Sequence, residues 1–387
     1  MADGELCGED KIDNRVRVIS LGKIHHTLTC ITYYLLLITF SSTHMSTLHI
    51  FNPSHDEALA ANDPYYYPSV AARKLAEAWG TLPIIWAAEG DYVLLPSENV
   101  FVEENKGIRF VTTKDIKPSF WQNIDHIEPW GWDKLLRQQL RKAGASSQLL
   151  PTDAALDAYR MLSSRHTTAR LLPMLRQLLG EMPTVGESFI AQSPDEVSQF
   201  VSTHDGQAMA KALWSCSGRG VFVVNANPNA SCQGRINKLL REQGGIELQP
   251  LHIPVRDFAL EFQANPDGTV SYCGLSLFTT TEAGGYTGNL IAPQAQLQAI
   301  LAAQWSGAAD VEQIANACCE ALSQVIQGRY VGPLGIDMML VRQEGGAVVL
   351  NPCIEVNLRH TMGWVALMVQ DRLEGRIPAR FSQLFHV

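Results

Sequence analysis

Three side chains that carry oxygen ligands lie on two β-prone segments near the end of the chain. Asp337 lies on the first segment, and Glu355 and Asn357 lie on the second, with Gly345 and Gly346 between them. Apolar runs on both sides of a Gly-Gly pair are typical of a β-hairpin. Because Glu355 and Asn357 are two positions apart, their side chains project from the same face of a strand. We therefore expect the three side chains to converge on a hard divalent cation such as Mg²⁺, whose remaining ligands are usually phosphate oxygens.

A lysine beside a loop of small residues offers a second candidate site, for phosphate. Lys211 lies in the apolar segment Ala208–Leu213, which a Ser- and Gly-rich loop connects to a β-prone segment, Val221–Val224. A lysine binds phosphate as a point charge, and small residues let backbone N–H groups approach phosphate oxygens. The loop is not a Walker A motif, because the lysine precedes the glycines. An ordinary hairpin with a surface lysine is the alternative interpretation, since Gly-rich turns are common.

The elements that must position these groups follow two patterns along the chain. Before Pro151, helix-prone and β-prone segments alternate, which is typical of a mostly parallel sheet with helices packed on it. Here the sequence predicts helices over Pro68–Trp79 and Lys134–Ala143, and strands over Leu48–Phe51, Leu82–Trp86 and Tyr92–Leu95.

After Pro151, which we take as a domain boundary, helices and paired strands are predicted. One or two helices cover Ala154–Leu179, and two more cover residues 194–203 and 311–327. The strands are predicted over residues 189–191, 207–213 paired with 221–224, and 257–263 paired with 269–281.

The composition excludes several classes of protein. At 387 residues and 46% hydrophobic content, the chain is long enough for two or three domains with large cores. A formal net charge of −9, without a cluster of Lys and Arg, argues against nucleic-acid binding. The eight cysteines are scattered without a C-x-x-C pair, which argues against a zinc site and a disulfide framework. We expect reduced thiols and a cytoplasmic protein.

The first 44 residues differ from the rest. Leu28–Phe40 is an uncharged, largely apolar run of 13 residues, which is shorter than a membrane span requires. We expect residues 1–44 to be an extension upstream of the true start at Met45, outside the fold, so that the mature protein has no membrane segment. A signal anchor is the alternative, but acidic residues precede the run and no small-residue cleavage site follows it.

Taken together, Lys211 with the loop 215–221, the Gly-Ile-Asp sequence ending at Asp337, and the segment 351–359 resemble the ATP-grasp superfamily of carboxylate–amine or carboxylate–thiol ligases. The resemblance extends from about Ala154 to the end of the chain. It implies an α/β N-terminal domain of the pre-ATP-grasp type, followed by an α+β ATP-grasp fold of two subdomains. The implied boundaries are a substrate-side domain at 45–150 and an ATP-grasp domain at 151–387, divided into a lid subdomain (about 185–250) and a C-terminal subdomain (about 251–387).

The resemblance implies that charged side chains and a small-residue lid surround the phosphates of ATP. Lys211 would contact the α- and β-phosphates, while Ser217, Gly218 and Arg219 would form the lid on the γ-phosphate. Arg359 resembles the arginine that contacts the transferred phosphate or the acyl intermediate.

The metal ligands follow the family pattern, and two nearby positions depart from it. Asp337, Glu355 and Asn357 would hold Mg²⁺, with Mn²⁺ as an alternative. Arg165 lies where many members carry a nucleotide-binding lysine, and it keeps the charge but changes the geometry. Gly335 lies where many ligases carry an arginine.

The resemblance also implies where the nucleoside binds. The segment that ends at Leu251 resembles the hinge whose backbone reads adenine. Either Glu247 or Gln249 takes the usual acidic place there, and the sequence leaves the choice open. Either Asp257 or Glu261 would take the ribose hydroxyls.

Two further polar motifs have open interpretations. His55 and Asp56 follow the first strand, where α/β sheets bind ligands, so they could contact substrate. Alternatively, Ser54 or Asp56 caps a helix N-terminus. His360 is a candidate for acid–base chemistry, although a lone histidine is more often structural.

The resemblance implies an ADP-forming ligase that joins a small-molecule carboxylate to an amine through an acyl phosphate. Arg359, Lys211 and Arg219 would neutralise the charge that develops as the phosphoryl group moves. The alternatives are an ATP-dependent phosphotransferase and a non-catalytic nucleotide-binding protein. A homodimer is compatible with this interpretation.

Overall fold

The computed structural model of the chain describes residues 46–98, 107–215, 220–281, 285–305 and 311–373. The expected extension, residues 1–44, and the expected lid residues Ser217, Gly218 and Arg219 lie outside this part. All of the described elements belong to one compact unit, and the boundaries near residues 150 and 250 remain predictions. Across these ranges, every helix is too short or too polar to cross a membrane.

Parallel strands form the first sheet, as the alternating pattern predicts. Its order is β3-β2-β1-β4, with every neighbouring pair parallel. Apolar side chains of these strands pack with Leu136 and Leu140 of the helix Lys134–Lys142. The elements are β1 (Thr47–Ile50), α1 (His55–Ala61), α2 (Val70–Trp79), β2 (Tyr92–Leu94), β3 (Arg109–Val111), β4 (His126–Pro129) and α3 (Lys134–Lys142).

One predicted strand of this region is wrong. Leu82–Ile85 forms a 3₁₀ turn instead of a strand, with Pro83 in its first turn. Proline has no N–H for a sheet ladder, and its fixed φ suits the start of a helical turn. A short apolar run cannot be assigned to a strand from periodicity alone, and here burial of Leu82 and Ile85 explains the apolar residues equally well.

The second sheet is small and antiparallel, and its order is β5-β8-β6-β7. Two helices precede it, so the predicted region 154–179 contains a break. The helix at Pro194 begins where the sequence predicts, because Ser193 accepts a hydrogen bond from the N–H of Glu196. The elements are α4 (Asp153–Leu162), α5 (His166–Leu178), β5 (Phe189–Ala191), α6 (Pro194–Thr203), β6 (Gln207–Ala212), β7 (Val221–Asn225), α7 (Ala230–Gln243) and β8 (Ile246–Gln249).

The third sheet has five antiparallel strands in the order β11-β10-β9-β12-β13. It contains the predicted hairpin, because β12 and β13 pair directly. The elements are β9 (Ile253–Ala264), β10 (Val270–Thr280), β11 (Tyr286–Leu290), α8 (Gln294–Ala302), α9 (Val311–Ile326), β12 (Gly332–Arg342), β13 (Val348–Asn357) and α10 (Met362–Leu373).

The strands of the third sheet alternate between an apolar and a polar face. On β9, Phe258, Leu260 and Phe262 are buried in the core that α5 and α9 share. Ala259 and Glu261 face the other way, since successive residues of a strand point to opposite sides. The polar face therefore collects the chemical groups of β9, β12 and β13.

Candidate active site

The hairpin of β12 and β13 brings the three predicted metal ligands together. Asp337 lies opposite Glu355, and Asn357 lies opposite Gly335. The amide Nδ2 of Asn357 donates a hydrogen bond to Oδ2 of Asp337 at 3.3 Å. Removal from water and the neighbouring charge of Glu355 raise the pKa of the Asp337 carboxyl to about 7. Two carboxyl groups and an amide oxygen are thus concentrated on one face of the sheet.

This donor set fits a cation that arrives with phosphate rather than a fully protein-bound metal. Within the described ranges, no cluster of three or more His, Cys, Asp or Glu side chains is arranged to hold a metal ion. Asp337 and Glu355 supply two carboxylates and Asn357 supplies an amide oxygen, which matches Mg²⁺ shared with substrate phosphates. A cation there would also offset the repulsion between the carboxylates of Asp337 and Glu355, which raises the pKa of Asp337.

Arg165 connects the hairpin to the second sheet. Its Nη2 lies 2.9 Å from Oε1 of Glu355, and its Nη1 lies 3.5 Å from Oε2 of Glu247. The guanidinium is buried, and its Nε donates to the carbonyl of Ala212 at 2.9 Å. Burial alone would lower the pKa of Arg165, but the charges of Glu355 and Glu247 outweigh burial and raise it. Arg165 therefore remains a cation beside a predicted metal ligand.

Lys211 extends from the second sheet toward the backbone of β13. Its Nζ donates to Oε1 of Gln249 at 2.7 Å and to the carbonyl of Ile354 at 3.1 Å. The nearest carboxylate oxygen, Oε2 of Glu247, lies at 3.9 Å. Burial lowers the pKa of Lys211 more than the charge of Glu247 raises it. The lysine and the metal ligands thus come from two sheets that meet at Ile354.

The predicted adenine segment places two side chains inside this cluster and one outside it. Glu247 is buried and accepts hydrogen bonds from Ser188 Oγ at 2.5 Å and from Gln249 Nε2 at 3.0 Å. Gln249 also donates to the carbonyl of Ile354 at 3.1 Å. Leu251 lies beyond β8 and is 43% exposed. The choice between Glu247 and Gln249 for the acidic place stays open.

Both candidates for the ribose contact lie on the polar face of β9. Asp257 accepts a hydrogen bond from Thr280 Oγ1 at 3.0 Å, and burial raises its pKa. Glu261 accepts from Thr361 Oγ1 at 2.7 Å, and burial raises its pKa to about 8. Register places Glu261 beside Gly335 of β12.

Glu261 gives a steric reason for the glycine at position 335. A Cβ at Gly335 would lie 2.7 Å from Oε2 of Glu261, and a Cβ at Gly363 would lie 2.0 Å from Oε1. Contacts this short mean that a side chain at either position would push the Glu261 carboxyl out of its place. An arginine at position 335 is therefore incompatible with this arrangement.

Arg359 connects the hairpin of β12 and β13 to the N-terminal part of the chain. Its Nη2 donates to Oδ1 of Asn357 at 3.0 Å, and its Nε donates to Oδ2 of Asp56 at 3.0 Å. This arginine lines a narrow cleft of about 10 Å³, which is room for about one water molecule. The cleft is lined by His55, Asp56, Ser163, Arg165, Leu213, Ser215, Glu355, Val356, Asn357, Leu358 and Arg359.

Two ends of the predicted phosphate loop also reach this region. Ser215 Oγ accepts a hydrogen bond from Nη2 of Arg165 at 3.3 Å. Gly220 accepts through its carbonyl from the N–H of Ala212 at 3.0 Å. The expected contacts of Ser217, Gly218 and Arg219 with the γ-phosphate concern residues outside the described part and remain predictions.

His360 is packed as a structural residue. Its ring stacks on Trp86 and Trp130, with centroids 4.9 and 5.8 Å away, and Nε2 lies 3.1 Å from Oε1 of Glu128. Its carbonyl accepts from Nη1 of Arg359 at 3.0 Å. The histidine therefore supports Arg359 through the backbone, which favours the structural interpretation over acid–base chemistry.

The sequence alone does not reveal the partners of His55 and Asp56. Asp133 pairs with His55, and Asp56 pairs with Arg359. Neither pair has a local sequence signal, because the residues are far apart in the chain. Glu261, which the sequence already offers as a candidate for the ribose contact, does have a local signal, because it is an acid within the otherwise apolar run Phe258–Phe262.

The arrangement of the sheets is shared with solved structures. Rhizobium etli pyruvate carboxylase aligns with a TM-score of 0.50 and 13% identity, over 88% of this chain and 28% of that one. The chain has the ATP-grasp fold. At this identity, the likeness shows the fold and leaves the substrates open.

Two more solved structures share a weaker likeness with this chain. The N5-carboxyaminoimidazole synthetase of Staphylococcus aureus, in complex with ADP, has a TM-score of 0.45 and 13% identity, over 82% of this chain and 71% of that one. D-cycloserine synthetase has a TM-score of 0.44 and 12% identity, over 86% and 99%. No protein-family model and no curated protein sequence matches the chain.

Proposed function

We propose that this protein is an ATP-dependent, ADP-forming ligase that joins a small-molecule carboxylate to an amine through an acyl-phosphate intermediate. One observation carries the proposal: Glu355 and Asn357 line a single cleft with the guanidinium groups of Arg165 and Arg359. Phosphoryl transfer needs metal ligands and fixed cations around the same phosphate oxygens. The described cleft holds both.

The chain's own residues have distinct roles in this proposal. Asp337, Glu355 and Asn357 would hold Mg²⁺, which when bound would neutralise charge on the transferred phosphoryl group. Lys211 would bind the α- and β-phosphates as a point charge. Arg359 would contact the transferred phosphate and the acyl phosphate.

The arginines of the cleft are arranged for an exchange of partners. Arg165 pairs with Glu355, and Arg359 pairs with Asp56 and Asn357. A guanidinium binds carboxylate and phosphate in the same planar geometry. Phosphate oxygens can therefore replace the carboxylate partners of both arginines, which releases Glu355 for the cation.

We also propose that residues 45–150 form the substrate-side domain and residues 151–387 the ATP-grasp domain. Asp56 supports this division, since it reaches Arg359 from the N-terminal sheet. A neighbouring cavity of about 600 Å³ shares Asp56 and Ser215 with the cleft, and Arg235 and Lys238 line it as well. Its size is typical of small-molecule sites, and it offers both signs of charge to a substrate.

The test is a screen for ADP release from Mg·ATP, with amino acids and short peptides as carboxylate and amine substrates. A ligase releases one phosphate for each amide formed. A phosphorylated product without free phosphate would identify the phosphotransferase instead. Failure of every substrate pair to stimulate ADP release would favour the nucleotide-binding protein without turnover.

A further inference from the structure

The Asn-Pro-Ser-His-Asp segment after β1 is built around Asp133. Asn52 Nδ2 donates to the carbonyl of Gly131 at 2.9 Å and to Oδ2 of Asp133 at 3.2 Å. Among the described residues, Ser54 makes no side-chain hydrogen bond to α1, so it does not cap that helix. Asn52 and His55 thus contact the loop after β4 and the capping residue of α3.

Asp133 fixes the ring of His55. Its Oδ1 caps α3 by accepting from the N–H of Leu136 at 2.8 Å, and its Oδ2 lies 3.1 Å from Nδ1 of His55. Because an ionised carboxylate only accepts hydrogen bonds, Nδ1 of His55 must carry the proton. The lone pair of the neutral ring then lies on Nε2.

His55 lies at the edge of the narrow cleft that Arg359 lines. His55 is 2% exposed, yet it lines the cleft together with Glu355, Asn357 and Arg359. A Cβ at position 131 would lie 2.5 Å from Nε2 of the ring, so glycine is required beside it. His55 differs from the structural His360 in that its ring lines the cleft that holds the proposed metal ligands and both arginines.

We propose that His55 is the general base of the amine-transfer step and that Asp133 is its positioning residue. This inference rests on the proposed ligase function. The amine nitrogen attacks the acyl carbon of the acyl phosphate, the bond from that carbon to the phosphate oxygen breaks, and phosphate leaves with the electron pair. The proton lost by the amine goes to Nε2 of His55 and from there to solvent. The amine would enter from the neighbouring cavity, which shares Asp56 with the cleft.

Several charged groups lie near His55, most of them in the cleft. Asp133 comes from the start of α3, Asp56 from α1 itself, and Arg359 from the segment after β13. Arg165 and Glu355 line the same cleft from the start of α5 and from β13.

The first experiment compares two nucleophiles in the wild type and in His55→Gln. With Mg·ATP and each amino acid of the screen as the carboxylate, glycine gives an amide and hydroxylamine gives a hydroxamate. Hydroxylamine is unprotonated at neutral pH, so it depends less on a base. We expect the ratio of amide to hydroxamate formation to fall by about 10²- to 10⁴-fold in the variant. An unchanged ratio would overturn the proposal.

A second variant covers the case in which His55→Gln does not fold. Asp133→Asn keeps a residue that caps α3, but its amide N–H₂ would face Nδ1 and favour the wrong tautomer. The same ratio should fall, chiefly through a lower kcat for the amine rather than a higher KM. Glu355→Gln serves as the matched control, because it should lower both products together.

A spectroscopic measurement does not require turnover. Long-range ¹H–¹⁵N spectra of protein labelled with ¹⁵N-histidine, assigned by His55→Gln, should show Nε2 of His55 unprotonated at neutral pH. Observation of the Nε2–H tautomer would contradict the base assignment. A wild type that shows the expected tautomer but releases no ADP with any pair would instead defeat the ligase function.

Discussion

The two faces of the five-stranded sheet are made by the same strands, yet they obey different constraints. One face consists of apolar side chains such as Phe258 and Phe262, which pack into the core with α5 and α9. The other face carries Glu261, Asp337 and Glu355, and each of these carboxyl groups depends on a specific partner or suffers a raised pKa. Period-two alternation separates the face that packs the core from the face that carries the proposed active site.

The comparison shows where the fold tolerates unfavourable electrostatics. Burial raises the pKa of Glu261 to about 8, and burial with Glu355 raises that of Asp337 to about 7. Carboxyl groups perturbed in this way are concentrated at functional sites. A mutation on the polar face should therefore change activity more than stability, and a mutation on the apolar face should do the reverse.

The largest expected effect is on the polar face. Glu355→Gln removes a proposed metal ligand and the charge that balances Arg165, so ADP release should fall by about 10²- to 10³-fold. Cooperative thermal unfolding, followed by circular dichroism, should be retained. Wild-type rates of ADP release in this variant would contradict the proposal that the polar face carries the active site.

On the apolar face, Phe262→Ala should lower the free energy of unfolding by about 3–5 kcal/mol, because it leaves a cavity in the core. Urea denaturation measures the change. Phe262→Leu is the control, and it should cost about 1.5 kcal/mol or less. A loss below about 1 kcal/mol for the alanine variant would show that this face is not the main source of stability.

Glu261→Gln tests the electrostatic cost of the polar face. The folded pKa of Glu261 is about 8, above its ordinary value of 4.5. The stability that its protonated form contributes is therefore fully present below about pH 4.5 and is lost as the pH rises through about 8. Without nucleotide, Glu261→Gln should be more stable than the wild type by about 1–3 kcal/mol at pH 9.

The same variant has its own control in the pH series. The difference in unfolding free energy between Glu261→Gln and the wild type should shrink toward zero at pH 4.5, since both residues are then neutral. A difference that stays constant from pH 4.5 to 9 would mean that burial of this carboxyl carries no charge penalty.

The smallest effect is expected at the edge of the polar face. Thr280→Val removes the hydrogen bond that Thr280 donates to Asp257. The loss of about 1 kcal/mol of binding free energy should raise the KM for ATP about fivefold. Thr279→Val is the matched control, because Thr279 bonds Thr287 on the exposed side. Equal KM values for the two variants would argue against a nucleotide contact at Asp257.

The parts predictable from sequence are those fixed by local rules. Alternation along β13 places Glu355 and Asn357 on one side, and the Gly-Gly turn brings them opposite Asp337 and Gly335. The start of α6 follows from a capping serine and a proline. These features need only neighbouring residues, so the sequence contains enough information to place them.

The rest depends on contacts between distant segments. Nothing near Arg165 indicates that it pairs with Glu355, and nothing near His55 indicates Asp133. The strand predicted at Leu82–Trp86 failed for a related reason, because burial of a short apolar run does not specify its backbone. Tertiary packing decides such cases.

The hydrogen bond between Arg359 and Asp56 spans 303 positions of the chain. During synthesis on the ribosome, Asp56 emerges long before its partner exists, and closing so long a loop delays the contact further. The reactive cleft must therefore be among the last parts of the protein to assemble. A nascent or prematurely terminated polypeptide that ends before residue 359 lacks this contact and the arginine that closes one side of the cleft.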